Sequence, residues 1–490
     1  MIHDIDIVLI NPGDRRQVYQ GLGGELAAIE PPFWVAVLAA CLRRQGMRVA
    51  IIDSNAENIA PEETARRVAG LNPLLSCVVV YGSQPSASTQ NMTIAGAICR
   101  ALSAQGIGKV AMAGLHPSAL PEHTLREEAV DFVIEGEGPE SLKTLLEELA
   151  MADPDLTCVP GLWYRGGDEV CSNPRAALIS NLDSYLPMAA WDLLPMHLYR
   201  AHNWHCFDDL DHRSPYGAIY TSLGCPYNCV FCCINAPFGK PGIRYRSPER
   251  VVDEITLLAD KYGVRNLKIV DELFIFKEEH YMAIVYGIIA RKLELNIWAY
   301  ARVDTVKTEN LGRMKRAGIN WLALGIESAS SDVRDGADKR MQHRDISAVV
   351  HSIQDAGIRV IGNFIFGLPG DTVETMEETL QLAMDLNCEF INFYCAMAYP
   401  GSGLYDIALK QGWDLPTSWS GFSQHSYDML PLPTRTLTAA EVVKFRDEAF
   451  HRYFANPNYL NMIENKFGVR VREHLVEMSS TRLKRKLLGD

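Results

Sequence analysis

Apolar runs and amphipathic stretches alternate along this chain in two blocks of different period, and the change of period divides it. In residues 1–148, short apolar runs predict strands at Ile5–Ile10, Arg48–Asp53, Cys77–Tyr81, Lys109–Ala113 and Asp131–Ile134. Helical patterns stand between them. Pro31–Gln45 stops at Gly46 and Thr89–Gln105 at Gly106, where glycine supplies the left-handed residue that closes a helix. Such alternation predicts an α/β fold, with a doubly wound, Rossmann-like parallel sheet in this block. From 149 to 213 the periodicity fades into a connector, with a short hairpin near Gly161–Val170. The connector's aromatics (Trp191, Tyr199, Trp204, Phe207) predict packing between two domains rather than a free linker.

Alternation returns in residues 214–403 with a repeat of about thirty residues. Strand candidates are Gly217–Leu223, Asn266–Asp271, Ile297–Arg302, Trp321–Ile326, Val360–Phe366 and Phe390–Cys395. Between them run helices such as Ser247–Tyr262, with Ser247 as N-cap, Pro248 in the first turn and Gly263 past the end. Six units of this kind predict a partial (β/α)6 barrel. Residues 404–490 predict a mainly helical cap, with Trp413, Trp419 and His425 as packing residues first and substrate contacts second.

Composition narrows the class. The chain has 490 residues, 48% of them hydrophobic, enough for two or three ordinary cores. Its longest apolar run, Tyr281–Ala290, is too short to span a bilayer, and the start MIHDIDIVLINPG lacks the pattern of a signal peptide, so a cytoplasmic location is expected. A net charge of −13 disfavours nucleic acid as a partner. The basic run Arg482–Lys486 reads first as a solvated face and second as an anion or membrane contact.

Twelve cysteines in so long a chain do not suggest a disulfide scaffold, and clustered thiols then point to metal. The cluster is TSLGCPYNCVFCC, Thr221–Cys233, which spaces Cys225, Cys229 and Cys232 as C-x3-C-x2-C in a loop after an apolar run. Three thiolates on one loop hold three corners of an iron–sulfur cube and leave the fourth open to a ligand. A structural zinc site takes four ligands, usually as two separated pairs, and no second pair is visible in the sequence. Cys233 breaks the spacing and reads as a packed bystander.

The remaining reactive residue types fall at the carboxyl ends of the later strands, where barrels of this kind carry their chemistry. They are Asp271-Glu272, Arg302, Glu327-Ser328, Gly367–Gly370 and Tyr399–Gly401. Singly each has an ordinary account, such as an acidic helix start, or a rim salt bridge of Arg302 with Glu327. Their common register with the cysteine loop argues for one site. In the first block the strand-end loops are small and polar, but no G-x-G-x-x-G follows the first strand, which disfavours a dinucleotide.

The second block, over Gly217–Gly403, resembles the radical SAM enzymes. The likeness lies in the C-x3-C-x2-C loop, IVDELFIF (Ile269–Phe276), the arginine of WAYARVD, LGIESAS (Leu324–Ser330), FIFGLPGDT (Phe364–Thr372) and YPGS (Tyr399–Ser402). The resemblance implies a [4Fe-4S] cluster on Cys225, Cys229 and Cys232, whose open iron chelates S-adenosyl-L-methionine (SAM). It implies that Phe231, Asp271, Glu272, Arg302, Glu327, Gly367 and Pro369 surround SAM. Asp271 and Glu272 would meet its amino group, Arg302 its carboxylate or ribose, Glu327 the ribose hydroxyls, and Gly367 with Pro369 the adenine. Glu272 replaces a frequent second aspartate, and Ser330 stands where the family often has a glycine-serine pair.

The first block resembles the cobalamin-binding domain that precedes the catalytic domain in B12-dependent radical SAM enzymes. The loops that carry this likeness are Asn11-Pro12, Asp53, Gly114–Pro117 and Gly136–Gly138. The D-x-H-x-x-G loop of other B12 proteins is absent, so the resemblance implies cobalamin without a histidine lower ligand, its lower face covered by the loop around Ser83, Gln84 and Ser86. Implied contacts are Asn11, Pro12, Asp53, Ser83, Gln84, Ser86, Gly114, His116, Pro117, Gly136, Glu137 and Gly138. His116 has the alternative reading of a hydrogen-bonding loop anchor.

Together the resemblances imply a class B, methyltransferase-like enzyme. It would methylate an unactivated carbon of a small molecule, with phosphorus as second choice, through a 5′-deoxyadenosyl radical and methylcobalamin. An electron donor such as flavodoxin or ferredoxin would serve it. The alternatives are a non-methylating reaction such as oxidative cyclisation or ring rearrangement, and a non-catalytic corrinoid and iron–sulfur binding protein. A methylthiotransferase is disfavoured, because the N-terminal half lacks a second cysteine cluster.

Overall fold

The computed structural model describes residues 3–13, 20–24, 27–82, 85–341 and 345–490. Five parallel strands form the centre of the first sheet: β1 (Ile5–Asn11), β2 (Val49–Asp53), β3 (Pro73–Val80), β4 (Lys109–Gly114) and β5 (Phe132–Ile134). Their order is β2-β1-β3-β4-β5. Both faces are covered, which is why the strands read as near-continuous apolar runs. Ile7, Leu9, Cys77 and Val79 share a core with the helix Phe33–Arg44. The alternate residues Val8, Ile10, Val78 and Val80 share one with the helices Pro61–Leu71 and Met92–Ala104. The strand order reverses between β1 and β3, and the crevice at their carboxyl ends is where open α/β sheets bind ligands. Gly46 and Gly106 take φ of 86° and 65°, the left-handed closures expected of them. The connector's hairpin becomes β6 (Leu162–Gly166) and β7 (Glu169–Ser172), added antiparallel to the edge of the same sheet.

β8 (Tyr216–Ile219) opens the second sheet, and the short pair β9 (Ser222–Leu223) and β10 (Arg244–Tyr245) frames the cysteine loop. β11 (Asn266–Ile269), β12 (Asn296–Arg302), β13 (Ile319–Glu327), β14 (Arg359–Phe366) and β15 (Phe390–Cys395) follow. All six barrel strands are parallel and pair in chain order, from β8 to β15, giving the expected partial barrel. Connector aromatics seal its amino-terminal end. Trp204 lies edge-on to Trp298 and Trp321, with ring centres 5.2 and 5.4 Å away, and Phe207 packs on Trp321 and Phe467.

The helix Pro248–Tyr262 shows how the connector is fixed to the barrel. Ser247 stands at the N-cap position, but its side chain makes no cap bond; the Asp183 carboxylate of the connector accepts the Ser247 N–H at 2.9 Å instead. Two turns on, the fully buried Glu254 accepts the Ala189 N–H at 3.0 Å and the Trp191 Nε1–H at 2.8 Å, and pairs with Arg246. Among the described residues no helix is long and apolar enough to cross a membrane.

Glu254→Ala leaves Arg246 buried without its partner, which typically costs about 3–5 kcal/mol. Denaturant titration should show a loss of this order. Glu377→Ala, which breaks the exposed pair with Arg452, should cost at most about 1 kcal/mol. Equal effects from the two would contradict the connector's role.

Candidate active site

The cysteine loop leaves β8 under restraint. Asp271, just past β11, accepts the Thr221 N–H and the Thr221 hydroxyl at 2.6 Å each and the Ser222 hydroxyl at 2.5 Å. Burial still holds its carboxyl above the usual range. Gly224 has φ of 86°, and a Cβ there would come within 2.5 Å of the Gly242 carbonyl oxygen, so glycine is required. Further along, the Val230 N–H donates to Ala337 and the Val230 carbonyl accepts from Leu404, tying the loop to the far rim.

Cys225, Cys229 and Cys232 are free thiols on this loop. Burial pushes all three upward, Cys225 to about 11, while the charges of Lys339 and Arg302 pull Cys229 back. The thiolate is the form that binds metal, and metal displaces the proton. Among the described residues no trio of His, Cys, Asp or Glu gathers around one ion. A four-iron cube places each thiolate on a different iron, so a spread trio on one restrained loop fits it.

Around the loop the rim charges divide into engaged and free. Glu272 is partly buried, its Oε2 is enclosed without a hydrogen-bond partner, and burial pushes it up to about 8. An enclosed carboxylate of this kind wants a cationic donor, and the ammonium of SAM is one. Arg302 does not pair with Glu327. It forks onto Asp304 at 2.9 and 3.1 Å, reaches the Arg340 carbonyl at 2.6 Å, stacks 4.0 Å above the Tyr227 ring, and keeps Nη1 without a partner.

Glu327 pairs instead with Lys339, 2.9 Å away and equally buried. Its φ is 66°, a left-handed conformation that costs a non-glycine residue energy and clusters at functional sites. Gly325 lies beneath the pair; a Cβ there would come within 2.6 Å of Glu327 Oε1 and 2.8 Å of Lys339 Nζ. Burial pulls the Lys339 ammonium down, but Glu327 and Cys229 outweigh it and leave it above its ordinary value. Phe231 stands 6.0 Å from the same ammonium. Gly367, with φ of 80°, faces Val442 of the cap helix Ala439–Phe454. The backbone of Gly367 and Leu368 is held by Asp371, which accepts both N–H groups at 2.9 and 3.0 Å, with Pro369 partly exposed beside them.

The first sheet's loops meet the barrel across a cavity of about 710 Å³, within the roughly 300–1,000 Å³ of small-molecule sites. Asn11, Pro12, Tyr81 and Gly82 line its sheet end, Lys268, Tyr300 and Asn363 its barrel end, and His425 and Arg446 its cap end. Among the described residues, the other corrinoid contacts implied by sequence do not line it. Asp53 uses its oxygens on Asn11 Nδ2 at 2.8 Å, the Ala56 N–H at 3.0 Å and the Tyr199 hydroxyl at 2.8 Å. Glu137 binds Arg244 at 2.8 Å and the Ile179 N–H at 2.8 Å. His116 is fully buried, shares a hydrogen bond of 3.1 Å with Thr89, meets Trp419 edge-on at 4.5 Å, and is pulled down to about 3 by burial. Gly114, Gly136 and Gly138 hold positive φ in their turns, and Pro117 is buried beside His116. Ser83 and Gln84 lie outside the described residues, and the Ser86 side chain is likewise undescribed.

The chain matches two family models, "B12 binding domain" over residues 19–146 and "Radical SAM superfamily" over residues 219–383. It is 29% identical over 431 residues to an uncharacterised methyltransferase of Pyrococcus horikoshii, covering 88% of this chain and 89% of that one. It is 27% identical over 458 residues to an anaerobic magnesium-protoporphyrin IX monomethyl ester cyclase of Cereibacter sphaeroides, covering 91% and 70%. Its fold is that of the radical S-adenosylmethionine methyltransferase TsrM from Kitasatospora setae, solved with cobalamin and a [4Fe-4S] cluster. That match has a TM-score of 0.68 at 17% identity and covers 92% and 89% of the two chains.

Asp271→Ala strands the donors of Thr221 and Ser222, so reconstituted iron and sulfide should fall below half the parent's content. A full complement would show that Asp271 does not hold the loop. Glu272→Gln tests the enclosed carboxylate. Because its carboxyl rises from the ordinary 4.5 to about 8 on folding, the native state holds that proton more tightly than the unfolded chain. The stability so contributed is full below pH 4.5 and lost as pH passes 8. Thermal melts should therefore show the parent losing ground to the Gln variant across that window; parallel curves would contradict it.

Proposed function

With a B12-binding domain followed by a radical SAM domain, the chain is a cobalamin-dependent radical SAM enzyme, and from that premise we propose that it methylates an unactivated carbon of a small molecule, carbon being preferred to phosphorus. The observation that carries the reading is the single cavity joining the sheet crevice at Asn11 and Tyr81 to the barrel interior at Tyr300 and Asn363. A substrate there faces both domains at once. When bound, the [4Fe-4S] cluster, SAM and cobalamin supply a one-electron donor, a hydrogen-abstracting radical and a methyl carrier.

The chain's own residues bind, orient and enclose. Cys225, Cys229 and Cys232 would hold the cluster. The free oxygen of Glu272 and the free Nη1 of Arg302 would take the amino and carboxylate ends of SAM, both charge-assisted contacts. Lys339 holds Glu327 in its strained conformation, ready for the ribose hydroxyls. Asn11, Pro12 and the turn after β3 would carry the corrinoid. The aromatic seal at Trp204, Trp298 and Trp321 closes the barrel's amino end to water. A flavodoxin- or ferredoxin-like electron donor and a cytoplasmic location complete the proposal.

A second reading keeps the cofactors without methyl transfer to product; the cyclase relative, similar over 91% of this chain, supports it. With methyl-labelled SAM and reduced, anaerobically reconstituted protein, the methylation reading expects label in product together with 5′-deoxyadenosine. 5′-Deoxyadenosine with unlabelled product favours the second reading, and its absence would sink both. The triple Cys→Ala variant at 225, 229 and 232 should lose iron, sulfide and 5′-deoxyadenosine together.

A further inference from the structure

The basic run near the chain's end does not lie on a solvated helix face. Its fourth residue, Arg485, is buried at 1% exposure and forks onto Asp447 of the cap helix at 2.9 and 3.0 Å. The same guanidinium donates to the carbonyls of Ser426 and Gln424, each at 3.1 Å. From the other side, Gln20 donates to the carbonyls of His425 at 2.7 Å and Lys484 at 3.2 Å, and accepts the Lys484 N–H at 3.3 Å. Residues 481–490 are thus held as a strap along the cavity, and Arg482 and Lys484 contribute to its lining.

Lys444 of the cap helix lines the same end. Among the described residues none of these three cations has a carboxylate within ion-pair distance. The acids at this end are Asp447, Asp490 and Glu448. Asp447 is neutralised by Arg446 and Arg485, whereas Asp490, whose side chain accepts only the Arg485 backbone N–H at 2.7 Å, and Glu448 keep their charges, two against the three cations. Burial, then the charges of Arg446 and Arg485, pull His425 down to about 3, so it adds no charge to a mouth that is already positive. Three unpaired cations at one mouth stand out in a chain of net charge −13. Deeper in, the barrel side of the wall is aromatic, with Tyr220, Trp298, Tyr300, Phe390 and Phe393.

We propose that the cavity takes an amphipathic organic anion: an apolar, preferably ring-containing body lies against the aromatic wall, and its carboxylate or phosphate is met by Lys444, Arg482 and Lys484. This names the substrate class for the proposed methyl transfer and rests on that reading for its use. Binding is testable without turnover.

Two probes with the same rings separate charge from apolar contact: 8-anilinonaphthalene-1-sulfonate, an anion, and N-phenyl-1-naphthylamine, which is neutral. Fluorescence titration of the full-length protein at low salt should show the anion bound about tenfold more tightly. In Lys444→Gln/Arg482→Gln/Lys484→Gln the preference should vanish while neutral-probe affinity stays within about twofold, which also reports that the cavity has folded. Arg482→Glu alone should weaken the anion selectively if the triple variant is unstable. No preference in the parent, or an unchanged preference in the variants, overturns the proposal. Neither result alters the labelled-methyl outcome, so the two readings fail separately.

Discussion

The rim depends on Asp271 using its acceptors on the two residues that launch the cysteine loop. Its oxygens bind Thr221 and Ser222, which locks the end of β8 to the end of β11 and fixes where the loop begins. A buried carboxylate is costly unless its lone pairs are filled, and here they are filled by groups that must otherwise find partners. The adjacent Glu272 is left as the enclosed carboxylate with an open oxygen. Two acids that look equivalent in the sequence therefore differ in the fold: one shapes the loop, the other keeps an enclosed oxygen without a partner.

The same pattern joins the two sheets. Lys268 of β11 meets Glu30 at 2.9 Å, Arg244 of β10 meets Glu137, and the connector's Tyr199 meets Asp53. Burial pushes Glu30 up, but Lys268 and His202 outweigh it and keep the carboxyl below its usual range. Buried pairs like these add little net stability over apolar contacts, and their better-attested value is to fix register. Here that register sets the sheet crevice opposite the barrel interior, which is what makes one cavity of two half-sites.

Much of this was legible in the sequence, because it is local. Apolar runs marked the strands, Gly46, Gly106 and Gly263 marked helix ends, and the cysteine spacing marked the loop. What was not legible depends on partners distant in the chain. Asp53 and Glu137 read as ligand contacts by position, yet Tyr199 and Arg244 engage them across 146 and 107 residues. Lys339 carries no motif and becomes part of the rim because β13 bulges at Glu327 and Gly325 leaves room beneath the pair. Asp371 stood inside a recognised motif, but its role, accepting two backbone N–H groups, is visible when the turn is folded. Arg485 looked like one more cation of a solvated run, and Asp447 buries it.

A crystal structure of the anaerobically reconstituted protein with SAM bound tests the division of labour at the rim most directly. The account predicts iron on Cys225, Cys229 and Cys232, the SAM ammonium against Glu272, and Asp271 still bonded to Thr221 and Ser222. Asp271 released from the loop and turned to SAM, with Glu272 idle, would contradict it.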